Sequence, residues 1–193
     1  MSWKIVVDTA CDFREIPNKA ENVVYERVPF TLQIEDKIYI DTLDMDIDEM
    51  MKAMYASSEP AKSACPSPDA FLSAYRGAEN IIVLTLTGGL SGSYTSAIVA
   101  QKMLKEEDEN VNIHVINTLS AGGQNDLFLL KINELIKDIE RYGVLEGRGK
   151  PKKLKYREEY SRRIDEEHRL IYKVQNNIII IVSCKGHYVK ERK

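Results

Sequence analysis

The feature that most limits what this chain can fold into is an alternation that runs for about 140 residues and then stops. Short apolar, β-branched runs at residues 4–7, 81–86 and 111–116 pass into polar or glycine-rich loops. After the second and third runs, helical patterns follow, at about residues 94–104 and from about 124 to 141. Strands that read as continuous apolar runs are buried on both faces, and their alternation with helices argues for a mostly parallel α/β sheet. Two further helices are signalled between the first two runs. Residues 46–55 are apolar at helical spacing with acids in the first turn, and Ser67-Pro68-Asp69 supplies an N-cap with proline at the first helical position. Residues 23–34 and 37–40 are β-rich, with Glu35-Asp36 as a hairpin tip. Beyond Gly147-Arg148-Gly149-Lys150-Pro151 the pattern changes to three consecutive strands at about 159–164, 168–174 and 178–184, the last two joined by Gln175-Asn176-Asn177. The expected architecture is α/β: a mostly parallel sheet with helices, followed by a helix and a small antiparallel three-stranded sheet.

Charge changes sign near the same point. The whole chain carries a net −3, yet residues 1–130 hold 10 Lys and Arg against 20 Asp and Glu, and residues 131–193 hold 17 against 10. Halves of opposite sign suit different partners, and the basic half is a candidate for nucleic acid, although basic surface also arises without one. No stretch approaches the ~18 apolar residues of a membrane span. The first residues lack the basic region and long apolar core of a secretion signal. Cys11, Cys65 and Cys184 lack metal-ligand spacing, so free thiols in a reducing cytoplasm are expected, with no metal and no cofactor.

In open α/β sheets, ligands bind at the loops after the strands, where helix N-termini offer free N–H groups to anions. Thr87-Gly88-Gly89-Leu90-Ser91-Gly92-Ser93-Tyr94 is such a loop, though a glycine/serine loop of this kind is also often only a turn and a cap. Together with Asp8-Thr9-Ala10-Cys11-Asp12 and Lys62-Ser63-Ala64-Cys65-Pro66-Ser67-Pro68, it resembles the DegV family in order and spacing. Val28-Pro29-Phe30 and Val115-Ile116-Asn117-Thr118-Leu119-Ser120-Ala121 extend the resemblance to about residue 130. That resemblance implies binding of one long-chain fatty acid, its carboxylate held by the hydroxyls of Ser63 and Ser91. It also implies a second domain walling in the acyl chain, which has no counterpart in this sequence.

In the basic half, Ser161-Arg162-Arg163-Ile164-Asp165-Glu166-Glu167-His168-Arg169-Leu170-Ile171-Tyr172 alternates polar and apolar positions, bringing Arg163, Glu167 and Arg169 near one another. Ser183-Cys184-Lys185-Gly186-His187-Tyr188 ends the last strand. Cleavage of RNA by its 2′-OH needs a base, cations for the phosphate and an acid for the leaving oxygen. Arg, Glu, His and a base-stacking Tyr supply those groups, as they also supply surface ion pairs. These motifs, with Lys131-Ile132-Asn133-Glu134-Leu135-Ile136-Lys137-Asp138 and Gly147-Arg148-Gly149-Lys150-Pro151, resemble the YoeB/Txe toxins, RelE-like endoribonucleases.

The resemblance implies cleavage of mRNA on the ribosome and silencing by an antitoxin peptide. It implies Arg169 as transition-state clamp, His187 as general acid, Tyr188 as nucleotide-positioning group, and Lys155 and Arg163 as phosphate contacts, with Glu167 beside them. The sequence departs from that family at Lys152, where an acidic general base is usual. The first strand and helix of the toxin fold have no counterpart, and the loop after Lys155 is short. Domains of 1–130 and 131–193 are expected, joined inside a helix at about 125–140, where Leu127, Leu130, Leu135 and Ile139 share one side. The function expected is a fatty-acid-binding half joined to a weakened ribonuclease. The alternatives are a non-enzymatic lipid-binding protein and an inert natural or engineered chimera.

Overall fold

The computed structural model of the chain describes residues 3–119, 121–164, 169–175 and 178–183. In chain order its elements are β1 (Trp3–Asp8), β2 (Val23–Val28), β3 (Thr31–Ile34), β4 (Lys37–Ile40), α1 (Ile47–Ala56), β5 (Lys62–Ala64), α2 (Pro68–Tyr75) and β6 (Asn80–Thr85). They continue with α3 (Ser93–Glu107), β7 (Asn112–Asn117), α4 (Gly123–Tyr142), β8 (Lys152–Lys153), β9 (Tyr160–Arg163), β10 (Arg169–Gln175) and β11 (Ile178–Ser183).

β2, β1, β6 and β7 lie in that order as a parallel sheet. Every residue of β1 and β6 is buried because helices cover both faces. On one face Val6, Val83 and Val115 meet Phe71 and Tyr75 of α2 and Ala97 and Leu104 of α3. On the other, Trp3, Ile5, Val7, Ile82 and Leu84 meet Leu129, Ile132, Leu135 and Ile136 of α4. Local chemistry starts the first two helices. The Asp46 carboxylate accepts from Glu49 N (2.9 Å), and the Ser67 hydroxyl accepts from Ala70 N (3.2 Å) with Pro68 as the first helical residue.

The segment between β2 and α2 departs from simple alternation. β3 pairs antiparallel with β4 across Glu35-Asp36 and, on its other edge, with β5, forming a separate three-stranded sheet. β5 has no apolar alternation, and all three of its residues are exposed. Its ladder with β3 alone makes it a strand, so periodicity gives no sign of it.

The second half forms an antiparallel sheet in the order β11-β10-β9-β8. β9, β10 and β11 take the three expected positions, and the two-residue β8 is added at the edge of β9. Residues 176–177 of the expected turn lie outside the described residues. The helix α4 spans the expected joint and packs in both directions, because Ile164, Leu170 and Tyr172 join the core it shares with β1 and β6. β11 also lies against β7. Among the described residues, no helix is long and apolar enough to cross a membrane.

Candidate functional site

The C-terminal ends of the parallel strands carry the loops of interest. Between β6 and α3 the chain closes a tight turn, in which Leu90 N (3.0 Å) and Ser91 N (3.1 Å) donate to the Thr87 carbonyl and Gly89 N to the Thr87 hydroxyl (3.3 Å). Ser91 is partly buried there, and its Oγ accepts from Ser93 N at 3.1 Å. Its hydroxyl proton therefore stays available to an incoming acceptor. Ser63 sits exposed on β5 opposite Leu32. The two serine-bearing stretches meet at Cys65, whose sulfur lies 3.2 Å from where a Cβ on Gly92 would stand. A side chain on Gly92 would press on the Cys65 sulfur unless that sulfur moved aside.

Apolar side chains stand open beside this turn. Leu90 and Leu119 are 75% and 71% exposed, and their loops are tied together by the Asn117 carboxamide, which accepts from Gly88 N and Leu119 N. Leu119 adopts φ +53°, a left-handed conformation costly for a γ-branched residue.

Asp8 and Ser93 lie within the motifs of the first half, yet neither residue by itself signals a role. Asp8 ends β1 at 1% exposure, and its Oδ2 accepts from Leu86 N (2.8 Å) and from the Ser93 hydroxyl (2.5 Å). Burial raises its carboxyl above the usual range, while the bonds from Ser93, Leu86 and Ala10 pull the other way. The signal that could have found it is an acid ending a strand whose other residues face two cores. Cys11 lies across the sheet, donating to Asp126 Oδ1 at 2.9 Å. Burial and then Asp126 push its thiol up to about 12, which leaves it a poor nucleophile.

In the second half, the register sets Arg163 directly opposite Arg169, and Lys152 opposite Ser161. Arg169 is 7% exposed and turned inward: Nε and Nη2 donate to the Ser161 hydroxyl (3.2 and 3.1 Å), and Nη2 to the carbonyl of Lys150 (3.3 Å). Burial, then the Arg163 guanidinium, lowers its pKa from the ordinary arginine value. Lys155 is exposed in the turn before β9, which is closed by Leu154 N donating to the Glu159 carbonyl. Glu167, His187 and Tyr188 lie outside the described residues. Among the described residues, the corner therefore holds Lys150, Lys152, Arg163 and Arg169, with no carboxylate in an ion pair with any of them.

Comparison with known proteins divides the chain at the same helix. Residues 2–140 match the DegV family of uncharacterised proteins, and residues 121–188 match the YoeB-like toxins of bacterial type II toxin-antitoxin systems. The two matches overlap on residues 121–140, most of α4. A DegV domain-containing protein of Streptococcus gordonii is 55% identical over 136 residues, which are 70% of this chain and 48% of that protein. The chain thus spans about half the length of the curated relatives it matches. The fatty acid kinase B3 protein of Streptococcus pneumoniae, solved loaded with linoleic acid, is 36% identical with a TM-score of 0.69, over 95% of this chain and 73% of that one. The YoeB-YefM complex from Staphylococcus aureus is 36% identical over 57% of this chain and 100% of that one, with a TM-score of 0.32.

Proposed function

Since the chain belongs to the DegV family through residues 2–140 and carries a YoeB-like toxin segment over residues 121–188, we propose that it binds a long-chain fatty acid through its first half, and that its second half is an RNA-binding segment with weakened ribonuclease activity. The two units are residues 1–130 and 131–193, sharing α4. The observation that carries the first part is the meeting of the Ser63 and Ser91 stretches at Cys65 and Gly92. Two hydroxyls there donate to a carboxylate at the start of α3, whose dipole favours an anion. Leu90 and Leu119 supply the beginning of an apolar path for the alkyl chain. An acyl chain fully buried gains ~0.8 kcal/mol per CH₂, so a path left half open should bind at micromolar levels or weaker.

Lipid extraction and mass spectrometry of the purified chain test this part. A long-chain fatty acid should co-purify or a fluorescent fatty acid should bind displaceably. Ser91→Ala should weaken binding on the order of tenfold, the worth of one hydrogen bond to a charged group. Failure of both binding measurements removes this reading.

For the second half, the inward-turned Arg169 and Lys152 in place of an acid both argue for slow chemistry. The mRNA on the ribosome is the proposed substrate and an antitoxin peptide the proposed partner. Lys152→Glu should raise cleavage of ribosome-bound mRNA, because it restores a base beside Ser161 and removes a positive charge. His187→Gln and Arg169→Ala should lower any cleavage on the order of 10²-fold. Primer extension reads all three, and cleavage at the parent rate by both losses would remove the assignment.

A further inference from the structure

We propose that Asp8 couples capture of a carboxylate at the Ser91 loop to the uptake of one proton. The proposal rests on the fatty-acid reading of that loop and adds its regulation by pH.

The geometry is a chain of two hydrogen bonds. Ser91 Oγ is held by Ser93 N, and the hydroxyl of the same Ser93 donates to Asp8 Oδ2 at 2.5 Å. That separation lies in the range of a hydroxyl bonded to an ionised carboxylate. When ionised, Asp8 places its negative charge at the end of α3 that an incoming carboxylate would use. A second carboxylate beside it is disfavoured by like-charge repulsion, which burial strengthens. Asp8 has an oxygen available to relieve this: Oδ1 is buried with no hydrogen-bond partner of good geometry among the described residues, although the Ala10 N–H lies close to the carboxyl. A proton taken from solvent onto Oδ1 leaves Oδ2 to accept from Leu86 N and Ser93 as before.

Among the described residues, no neighbouring cation performs the same neutralisation. On the strand of Asp8, Lys4 is four residues away, roughly 13 Å along the chain, and is held by Glu26. Arg27 of β2 stands opposite Val7, so its side chain leaves the other face of the sheet. The loop after β1 carries Asp12, whose N–H donates to Asp126 of α4 on that other face. On the Asp8 face, α2 carries Asp69, and Arg76 just beyond its end pairs with Glu107 of α3. α3 also carries Lys102, Lys105 and Glu106, beginning nine residues beyond Ser93, roughly 13 Å along the helix. The charged groups facing Asp8 from β6 and its loop are none, and its partners there are Leu86 N and the Ser93 hydroxyl. Burial raises the Asp8 carboxyl above the usual carboxylate value, while its hydrogen bonds pull the other way.

The sign follows from linkage. If the complex holds one more proton than the free chain, affinity falls as pH rises, by at most tenfold per pH unit, between the free and bound values of Asp8. The test is binding of a fluorescent long-chain fatty acid to the full chain between pH 5.5 and 9, where the ligand's own carboxyl is ionised over most of the range. The parent should lose affinity as pH rises. Asp8→Asn, which keeps the shape and cannot ionise, should show a flat profile and bind more tightly than the parent at pH 8. Ser93→Ala removes a donor that favours the ionised form, so it should move the slope to higher pH and guards against misfolding of Asp8→Asn. Parallel slopes in the parent and Asp8→Asn, or a flat parent, overturn the proposal while leaving fatty-acid binding intact. No binding by the parent at any pH overturns the fatty-acid reading, and this proposal with it.

Discussion

At the scale of single residues, Arg162 shows how much of the second half hangs on one side chain. It is fully buried, and its guanidinium donates to the carbonyls of Gly143 (2.6 Å), Glu146 and Arg148 (2.8 Å) and to the Tyr172 hydroxyl (3.0 Å). Those carbonyls belong to the turn that leaves α4, where a helix end has spare acceptors. Asp138 Oδ2 lies 3.9 Å away and takes Arg148 N, so the charge is offset by a nearby carboxylate. Removing the cation leaves several buried acceptors without donors, at about 1–3 kcal/mol each. Arg162→Ala should therefore cost on the order of 3–5 kcal/mol in urea unfolding, and a loss below about 1 kcal/mol would contradict this account. Arg162→Lys should recover little, because an ammonium cannot span acceptors set around a planar fork.

Among the elements, α4 and the turn that follows it decide how the halves meet. Gly149 sits at φ +79°, and a Cβ there would stand 2.9 Å from Leu135 Cδ2 and 3.0 Å from the Arg163 carbonyl. The Gly149 carbonyl in turn accepts from Arg163 N at 2.6 Å, so this turn is stitched to the end of β9. Gly149→Ala should cost about 1–3 kcal/mol through strain and contact together. At about 2–4 °C per kcal/mol for a chain of this size, that is a fall in Tm of several degrees. Gly123→Ala is the control. It lies in the first turn of α4 with nothing within 4 Å of its Cβ position, and should leave stability unchanged or slightly raised. Equal effects of the two substitutions would show that Gly149 is not held by its surroundings.

For the molecule as a whole, one core runs through both halves. Trp3, Ile5 and Leu84 of the parallel sheet, Ile132 and Leu135 of α4, and Leu170 and Tyr172 of the antiparallel sheet belong to the same buried cluster. Elements that share a core lose it together, so thermal unfolding should show a single transition by both calorimetry and tyrosine absorbance. Ile132→Ala, at 0% exposure in the middle of that cluster, should lower this one transition by about 2–5 kcal/mol rather than splitting it. Two separated transitions would mean that the halves are independent domains.

The sequence by itself determined what depends on near neighbours and periodicity. Runs such as residues 81–84 must be covered on both faces wherever they lie, Asp46 and Ser67 cap helices within three residues of themselves, and the fading of the alternation after Gly149 marks the change to an antiparallel sheet. Motif resemblance supplied Ser63 and Ser91 as a pair but not the contact at Gly92 that joins their loops. Only the tertiary structure decided the rest, because each remaining feature depends on partners distant along the chain. The Asp8–Ser93 bond closes 85 positions, β5 becomes a strand only by lying beside β3, and Arg169 turns inward only because Ser161 and the Lys150 carbonyl are there to receive it. No local propensity encodes such pairings, since a side chain's burial and hydrogen bonds are fixed by what the rest of the chain brings against it.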